Sequence, residues 1–271
     1  MRENDSVSIY RDDGIVLRTQ KLGEADRIVT VLARKTGRIR AVAKGVRRTK
    51  SRFGARLEPF THADLLLYSG RSLDVITQAE TLRSYGEALA GDYPRYTTGI
   101  AMLETAERFT VVEKEPALRQ FLLLVGGLRT LVDGGHDARL VLDAYLLRSL
   151  AVAGYAPALD ECAICGTRVP DSDQSRGHPA TVKPVVTHSA TGRRTFGVAA
   201  GGLVCRSCWA PGAATASAPT IDLMSALLRG DWELADASER RYQVECSGLV
   251  AAYVQWHLEH SIRSLRHVEH A

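Results

Sequence analysis

Arg27-Ile-Val-Thr-Val-Leu-Ala-Arg-Lys-Thr-Gly-Arg-Ile-Arg-Ala-Val-Ala-Lys-Gly-Val-Arg-Arg-Thr-Lys-Ser-Arg-Phe-Gly-Ala-Arg-Leu57 holds eleven basic residues and no acidic one. The whole chain of 271 residues has a formal charge of +4, so everything outside this stretch sums to −7. Two β-branched runs, Ile28-Val-Thr-Val-Leu and Ile39-Arg-Ala-Val-Ala, flank the breaker Lys35-Thr-Gly. That pattern predicts two strands joined by a turn, not a disordered cationic tail. A folded surface then presents the charge, and a block of one sign on such a surface fits the footprint of a polyanion better than a merely solvated face.

Runs of the same kind lie on both sides. Gly14-Ile-Val-Leu-Arg-Thr, His62-Ala-Asp-Leu-Leu-Leu-Tyr and Leu73-Asp-Val-Ile-Thr-Gln-Ala bring the predicted strands to five, with breakers at Lys21-Leu-Gly-Glu-Ala-Asp, Arg52-Phe-Gly and Ser69-Gly-Arg-Ser. Closing five strands into a barrel removes the sheet edges, and the OB-fold is the commonest such design. After Tyr93-Pro94 the period becomes helical, with runs Tyr96 to Val112, Pro116 to Val132, Ala138 to Ala153, Ile221 to Leu227 and Glu239 to Leu265. Pro116 suits a first helical turn, Gly134-Gly135 suits a terminus, and Asp137 can cap the run that follows. The expected class is α+β. An amino-terminal five-stranded OB-fold β-barrel, residues 1–85, precedes a mainly α-helical domain, residues 86–271, with a four-Cys zinc element inserted at about 160–210. The small-residue stretch from Ala210 to Pro219 reads as a linker.

The zinc expectation comes from Cys162-x-x-Cys165 and Cys205-x-x-Cys208, which account for four of the five cysteines. A two-residue spacer lets both sulfurs of a pair reach one ion from a single tight turn, and two such pairs complete a tetrahedral thiolate site. Disulfides fit less well, because the charged start Met1-Arg-Glu-Asn-Asp opens no apolar stretch of signal-peptide kind. The 39 residues between the pairs exceed the spacer of the common zinc ribbon, so a hairpin or excursion from Arg168 to Gly201 is expected, carrying His178 and His188 as solvated residues. Cys246, alone in a helical run, is expected to be buried and inert.

Composition places the chain among ordinary globular proteins, with 45% hydrophobic and 24% charged residues. No apolar run approaches the ~20 residues of a membrane span, which points to a soluble cytoplasmic protein. Phosphate-loop, dinucleotide, nucleophile-elbow and His-Glu-x-x-His motifs are all missing. His257-Leu-Glu259 resembles the His-x-Glu of zinc deaminases. However, its order relative to the cysteines is reversed, and four thiolates leave no open position for an activated water. His257 and His260 read more simply as a polar helix face. Binding, not catalysis, is the expected activity. Dense Arg and Lys with sparse aromatics point to phosphate contacts, weak sequence preference and steep salt dependence. Phe53 is equally suited to stacking on a base or plugging the barrel, whereas Tyr10, Phe60 and Tyr68 suit the core.

Three separated motifs carry a family resemblance. Ala43-Lys-Gly-Val-Arg-Arg-Thr-Lys-Ser-Arg-Phe-Gly-Ala-Arg-Leu-Glu-Pro-Phe60, with Gly14-Ile-Val-Leu, resembles the amino domain of the RecO family of bacterial recombination mediators. Cys162-Ala-Ile-Cys-Gly and Gly201-Gly-Leu-Val-Cys-Arg-Ser-Cys resemble its zinc-binding branch, and Ser261-Ile-Arg-Ser-Leu-Arg resembles its closing helix. The resemblance implies DNA repair with no covalent step: binding of ssDNA and dsDNA, annealing of complementary strands, contact with the acidic tail of single-strand binding protein, and action with RecR to load RecA. It also implies structural Zn2+ on Cys162, Cys165, Cys205 and Cys208. In that picture Lys44, Arg47, Arg48, Lys50, Arg52 and Arg56 hold DNA backbone, and Lys35, Arg38 and Arg40 extend the face. Arg119, Arg129 and Arg148 are helical residues that could rim a groove for the acidic tail. A zinc-ribbon transcription or RNA-binding factor and a zinc enzyme are the competing classes.

Overall fold

All five predicted strands form, and they close on one another. The computed structural model describes residues 8–48, 51, 53–168, 192–209 and 211–258. β1 (Ile9–Leu22), β2 (Asp26–Ala33), β3 (Gly37–Ala43), β4 (Thr61–Tyr68) and β5 (Asp74–Ser84) make a closed barrel in the order β1-β2-β3-β5-β4. Neighbours are antiparallel except β3 and β5, which run parallel and pair at Ala41 with Asp74 and Val42 with Val75. This is the Greek-key closure of an OB-fold. The period of two decides what fills it. Along β3 the side chains of Ile39, Ala41 and Ala43 are buried while Arg38, Arg40 and Val42 are only partly so. Val16, Val29, Val31, Leu65, Leu67 and Ile76 complete the interior from the other strands. Phe53 is 1% exposed within that cluster, so it is the barrel plug and not a stacking platform. Phe60 is buried too, whereas Tyr10 is half-buried and Tyr68 lies at the surface.

Three helices belong to the same compact unit, which ends at Ala138. They are α1 (Tyr85–Leu89), α2 (Tyr93–Phe109) and α3 (Leu118–Asp133), and α2 and α3 pack against β1. Asp92 caps α2 by accepting from the Arg95 amide at 3.0 Å, with Pro94 in the first turn where its missing N–H costs nothing. α3 stops at Gly134, whose φ of 71° is the left-handed conformation a helix C-cap favours. Pro116 sits before the α3 cap, not inside its first turn as expected. A backbone contact fixes the chain here: a Cβ on Gly37 (φ 82°) would stand 1.8 Å from the Glu115 carbonyl oxygen. Only glycine allows the β2–β3 turn to lie so close to the segment entering α3.

The second unit runs from Arg139. It holds α4 (Ala138–Val152), a three-stranded antiparallel sheet of β6 (Arg193–Gly197), β7 (Gly202–Leu203) and β8 (Ala214–Ser217) in the order β7-β6-β8, and α5 (Ala218–Arg229), α6 (Trp232–Asp236) and α7 (Arg240–Leu258). α4 is buried on nearly every side, so its sequence shows almost no polar face. The stretch expected to be a linker is instead strand β8 leading into α5. Residues 214–217 pair with β6, and side chains as small as those of Ala and Thr let strand and helix follow with no loop between. Both ends of α5 are closed by other helices. The Glu245 carboxylate of α7 accepts from the Ser217 amide and from the Ser217 and Thr220 hydroxyls, while Arg148 of α4 donates to the Leu227 carbonyl at 2.7 and 3.0 Å. Arg148 is therefore engaged as a helix cap. Among the described residues no helix is long and apolar enough to cross a membrane.

Two carboxylates tie stability to pH. Burial opposes ionisation of Asp74, but Lys114 at 2.8 Å, the Tyr10 hydroxyl and the Gly70 amide outweigh it and hold the group below its ordinary 3.8. Glu245 is half-buried, and although burial opposes its ionisation it too is held below 4.5 by the Ser217 and Thr220 donors. Because the native state keeps these groups ionised, their contribution is complete above the ordinary values and is lost as pH falls from there through the native ones. Thermal unfolding followed from pH 7 downward should show a loss beginning near pH 4.5. An acid limb of the same steepness in Asp74→Asn and Glu245→Gln would rule these groups out as its source.

Candidate nucleic-acid interface and metal centre

The stretch of eleven cations is continuous in sequence and divided in space. β3 spans seven residues, about 20 Å at strand rise, so it carries the two ends of the stretch apart. Beyond its last residue, Lys44, Arg47 and Arg48 are exposed on a turn that Val46 anchors in the barrel. This turn is pinned to the β1–β2 connection. The Gly45 amide donates to Asp26 at 2.7 Å, the Arg47 amide to the Ala25 carbonyl at 2.9 Å, and Arg47 Nη1 to the Glu24 carbonyl at 2.9 Å. Lys35 is exposed at the opposite end of β3, on a turn held by buried Asp12, which accepts from the Lys35 and Thr36 amides at 3.2 and 2.8 Å. Arg56 lies over β4 and β5, in a groove shared with Arg11, Asp64 and Glu80, where charge is mixed because Arg11 chelates Asp64 at 2.7 to 3.0 Å.

Arg38 and Arg40 are engaged within the chain. Arg38 Nη2 donates to the Val111 carbonyl, and Arg40 Nη1 is 3.5 Å from Glu113 Oε1. Arg27 pairs with Glu58 at 2.6 Å. Lys50 and Arg52 lie outside the described residues, as do His178, His188, His260 and the Ser261 to Arg266 motif. Thus Lys44, Arg47 and Arg48 are brought together on one turn, whereas Lys35 lies at the other end of β3, Arg56 lines the groove over β4 and β5, and Arg38 and Arg40 face residues 111 and 113. Arg71, exposed on the β4–β5 turn, was not read as a site residue because it falls outside the acid-free stretch. Oligonucleotides commonly meet an OB-fold at the β1–β2 and β4–β5 turns, so only the barrel topology points to it.

The four paired cysteines meet in the second unit. Their sulfur atoms all lie within 4.8 Å of one another, which suits a single metal ion. Each pair sits on its own tight turn. The Gly166 amide closes the first by donating to the Cys162 carbonyl at 2.8 Å with Gly166 at φ 68°, and the Cys208 amide closes the second onto Cys205 at 3.0 Å. The Cys205 amide donates to Cys162 Sγ at 3.3 Å, and the Ala163 amide reaches the Leu203 carbonyl at 2.7 Å, so the first turn is fastened to β7. β6 and β7 form the hairpin expected between the pairs; residues 169–191 lie outside the described ones.

Crowded sulfurs cannot all ionise freely. Burial opposes ionisation of Cys162, but the amides of Cys205, Cys165 and Ile164 outweigh it and bring the thiol down to about 6. Cys208 is pushed up to about 12 by the neighbouring sulfurs of Cys205 and Cys165. A cation bound among them would relieve that repulsion. Cys246 is fully buried away from this set, and burial raises its thiol well above the usual range, in keeping with an inert core cysteine. His257 is not on a polar face. It stacks on Tyr155 at 4.5 Å and meets Tyr253 edge-on at 4.6 Å, and burial lowers its pKa.

Comparison with known proteins covers the chain almost end to end. Residues 7–85 match the family model described as Recombination protein O N terminal, and residues 90–266 match Recombination protein O C terminal. A DNA repair protein RecO of Thermobifida fusca is 63% identical over 265 residues, 98% of this chain and all of that one. Proteins of the same name from Streptomyces avermitilis and Nocardioides sp. are 58% and 55% identical, over 97% and 96% of this chain and 100% and 99% of theirs.

Proposed function

We propose, from the premise that the chain belongs to the RecO family, that it serves DNA repair and recombination by binding and annealing DNA strands through its barrel. The observation that carries this reading is the exposed turn bearing Lys44, Arg47 and Arg48, pinned to the β1–β2 connection of an OB barrel. Repulsion between two phosphate backbones opposes annealing. Side chains that neutralise phosphates while leaving base edges unread lower that barrier and leave the bases free to pair. Lys35, Arg56 and Arg71 would extend contact along either ssDNA or dsDNA, and Lys50 and Arg52 continue the same basic sequence. The resemblance carried by the sequence motifs implies further roles for this chain with RecR, with the tail of single-strand binding protein and, indirectly, with RecA.

The cysteine set fits zinc. A tetrahedron with Zn–S bonds of about 2.3 Å has sulfur–sulfur edges of about 3.8 Å, and Cys165 and Cys205 stand 3.7 Å apart. Cys162, Cys165, Cys205 and Cys208 would hold the ion. Four thiolates fill its coordination sphere, so its role is to fasten the two turns to the β6–β7 hairpin and not to activate water. Binding of labelled oligothymidine followed from ~50 to ~200 mM salt, beside annealing of complementary strands, tests the reading. Affinity should fall by orders of magnitude over that range if several phosphates are neutralised. A salt-independent or strongly sequence-specific affinity would favour a different nucleic-acid reader, and failure of the folded protein to accelerate annealing would remove the proposal.

A further inference from the structure

Residues 111–115, between α2 and α3, run along β3 as a strap. Because β5 pairs with β3 only at Ala41 and Val42, the earlier part of β3 keeps a free edge on that side. The strap occupies it. Glu113 bridges to Arg38 in parallel register, and the Lys114 amide donates to the Arg38 carbonyl at 2.9 Å. The Val111 carbonyl accepts from Arg38, and the Glu113 carboxylate faces Arg40. Oxygen acceptors from the chain itself therefore stand on two guanidiniums that project from the same face of β3, the strand that leads into the turn of Lys44.

The two halves of the strap are held very differently. Lys114 is anchored at 2.8 Å to Asp74, whose side chain is fully buried, and Glu115 abuts Gly37. Among the described residues, nothing anchors 111–113 to a buried charge in this way. Val111 and Val112 are 69% and 59% exposed, so apolar burial contributes little to holding them. The Arg40–Glu113 contact is single and long, between side chains about one-third exposed, the kind of ion pair that water and salt weaken most. Arg38 Nε and Arg40 Nε are buried without a partner among the described residues, so the strap leaves both guanidiniums incompletely bonded. Between the halves, Lys114 holds φ at 61°, a left-handed conformation that costs a side chain energy. The chain is strained where the loose part meets the fixed part.

We propose that residues 111–113 are a displaceable strap occupying a latent phosphate-binding line on β3, and that a single strand held at Lys44, Arg47 and Arg48 lifts the strap to engage Arg38 and Arg40. The Val111 carbonyl and Glu113 carboxylate are then stand-ins for phosphate oxygens. Phosphates replace them at no loss of charge balance and can also satisfy the two Nε–H groups. This inference rests on the nucleic-acid reading above, and it makes affinity depend on a residue of negative charge outside the basic turn.

The test compares Glu113→Gln with the unaltered protein against labelled oligothymidine over a range of salt. The variant should bind about three- to tenfold more tightly at low salt with the slope of log K on log salt unchanged, because the same phosphates are engaged in both proteins once the strap has lifted. Adding Arg40→Gln to that variant should erase most of the gain. Hydrogen exchange of the Lys114 amide in the unaltered protein gives a readout independent of any substitution, and saturation with oligothymidine should accelerate it. Unchanged affinity in Glu113→Gln, or a Lys114 amide whose exchange is unaltered or slowed by DNA, overturns the strap. If oligothymidine also fails to bind the unaltered protein, the nucleic-acid reading falls with it. If binding persists and depends on the Lys44 to Arg48 turn, the strap alone is wrong.

Discussion

Replacement of Cys162 and Cys205 together by serine should abolish metal binding and lower the thermal midpoint by about 10 °C or more. The size of the effect follows from what the two turns otherwise have to hold them. Each is only a few residues long, and beyond its own amide-to-carbonyl closures the contacts fastening it are single hydrogen bonds such as Ala163 to Leu203 and Cys205 to Cys162 Sγ. A net hydrogen bond contributes about 1 kcal/mol, whereas structural zinc in small peptides contributes about 10–16 kcal/mol at neutral pH. Part of that is lost here to the cost of ionising crowded thiols, and the helices of the second unit have a core of their own. Several kcal/mol remain, and for a chain of this size each shifts the midpoint by about 2–4 °C. Metal analysis of the purified protein should give one ion per chain, falling to none in the double variant, while Cys246→Ala keeps the ion. An unaltered protein that holds no metal, or whose midpoint does not respond to a chelator, would show that the cysteines stand together without a staple.

The barrel was legible because β-branched runs bounded by turn residues mark the strands one at a time, and β3 and β4 alternate cleanly between buried and half-buried positions. β1 and β2 instead carry continuous buried runs at residues 14–17 and 29–33. The helices were legible where a terminus carries its own chemistry, as at Pro94 and Gly134. The parts that escaped were those whose structure depends on a distant partner. β8 has no strand-like pattern of its own, and it exists because β6 offers it an edge. α5 lacks a capping side chain at Ser217 because Glu245, 28 residues later, performs that task. Nothing local in a sequence announces a cap delivered from another helix.

The candidate sites divide in the same way. Cys-x-x-Cys is a local geometric statement, so both halves of the metal centre were visible before their meeting was. Charge is different, because a count of cations along the chain takes no account of what each one faces. Arg38 and Arg40 belong to the densest basic stretch of the chain and yet stand against Glu113 and the Val111 carbonyl, 73 residues away. Lys35 is separated from Lys44 by the length of a strand. A count along the sequence thus groups cations that the fold faces differently, and it takes no account of residues 111 and 113, which stand against two of them.

The turn of Lys44, Arg47 and Arg48 supports the most direct prediction about function. Changing all three to glutamine should weaken binding of single-stranded DNA by about one to two orders of magnitude at moderate salt. The salt slope should fall by about 2, since each phosphate neutralised on a single strand contributes about 0.7. Annealing should slow in step, because the repulsion that opposes it is no longer offset. Glutamine keeps the polar length of the side chains, and the backbone donors that pin the turn, the amides of Gly45 and Arg47, are untouched. Among the described residues, the one hydrogen bond that these three side chains make to the fold is the donation of Arg47 to Glu24, so the thermal midpoint should stay within a few degrees of the parent. A correctly folded triple variant with undiminished affinity would move the nucleic-acid surface off the β1–β2 end of the barrel. If affinity fell while the slope stayed constant, the three residues would be acting through the shape of the turn and not through phosphates, because loss of a phosphate contact must change how many counterions are released.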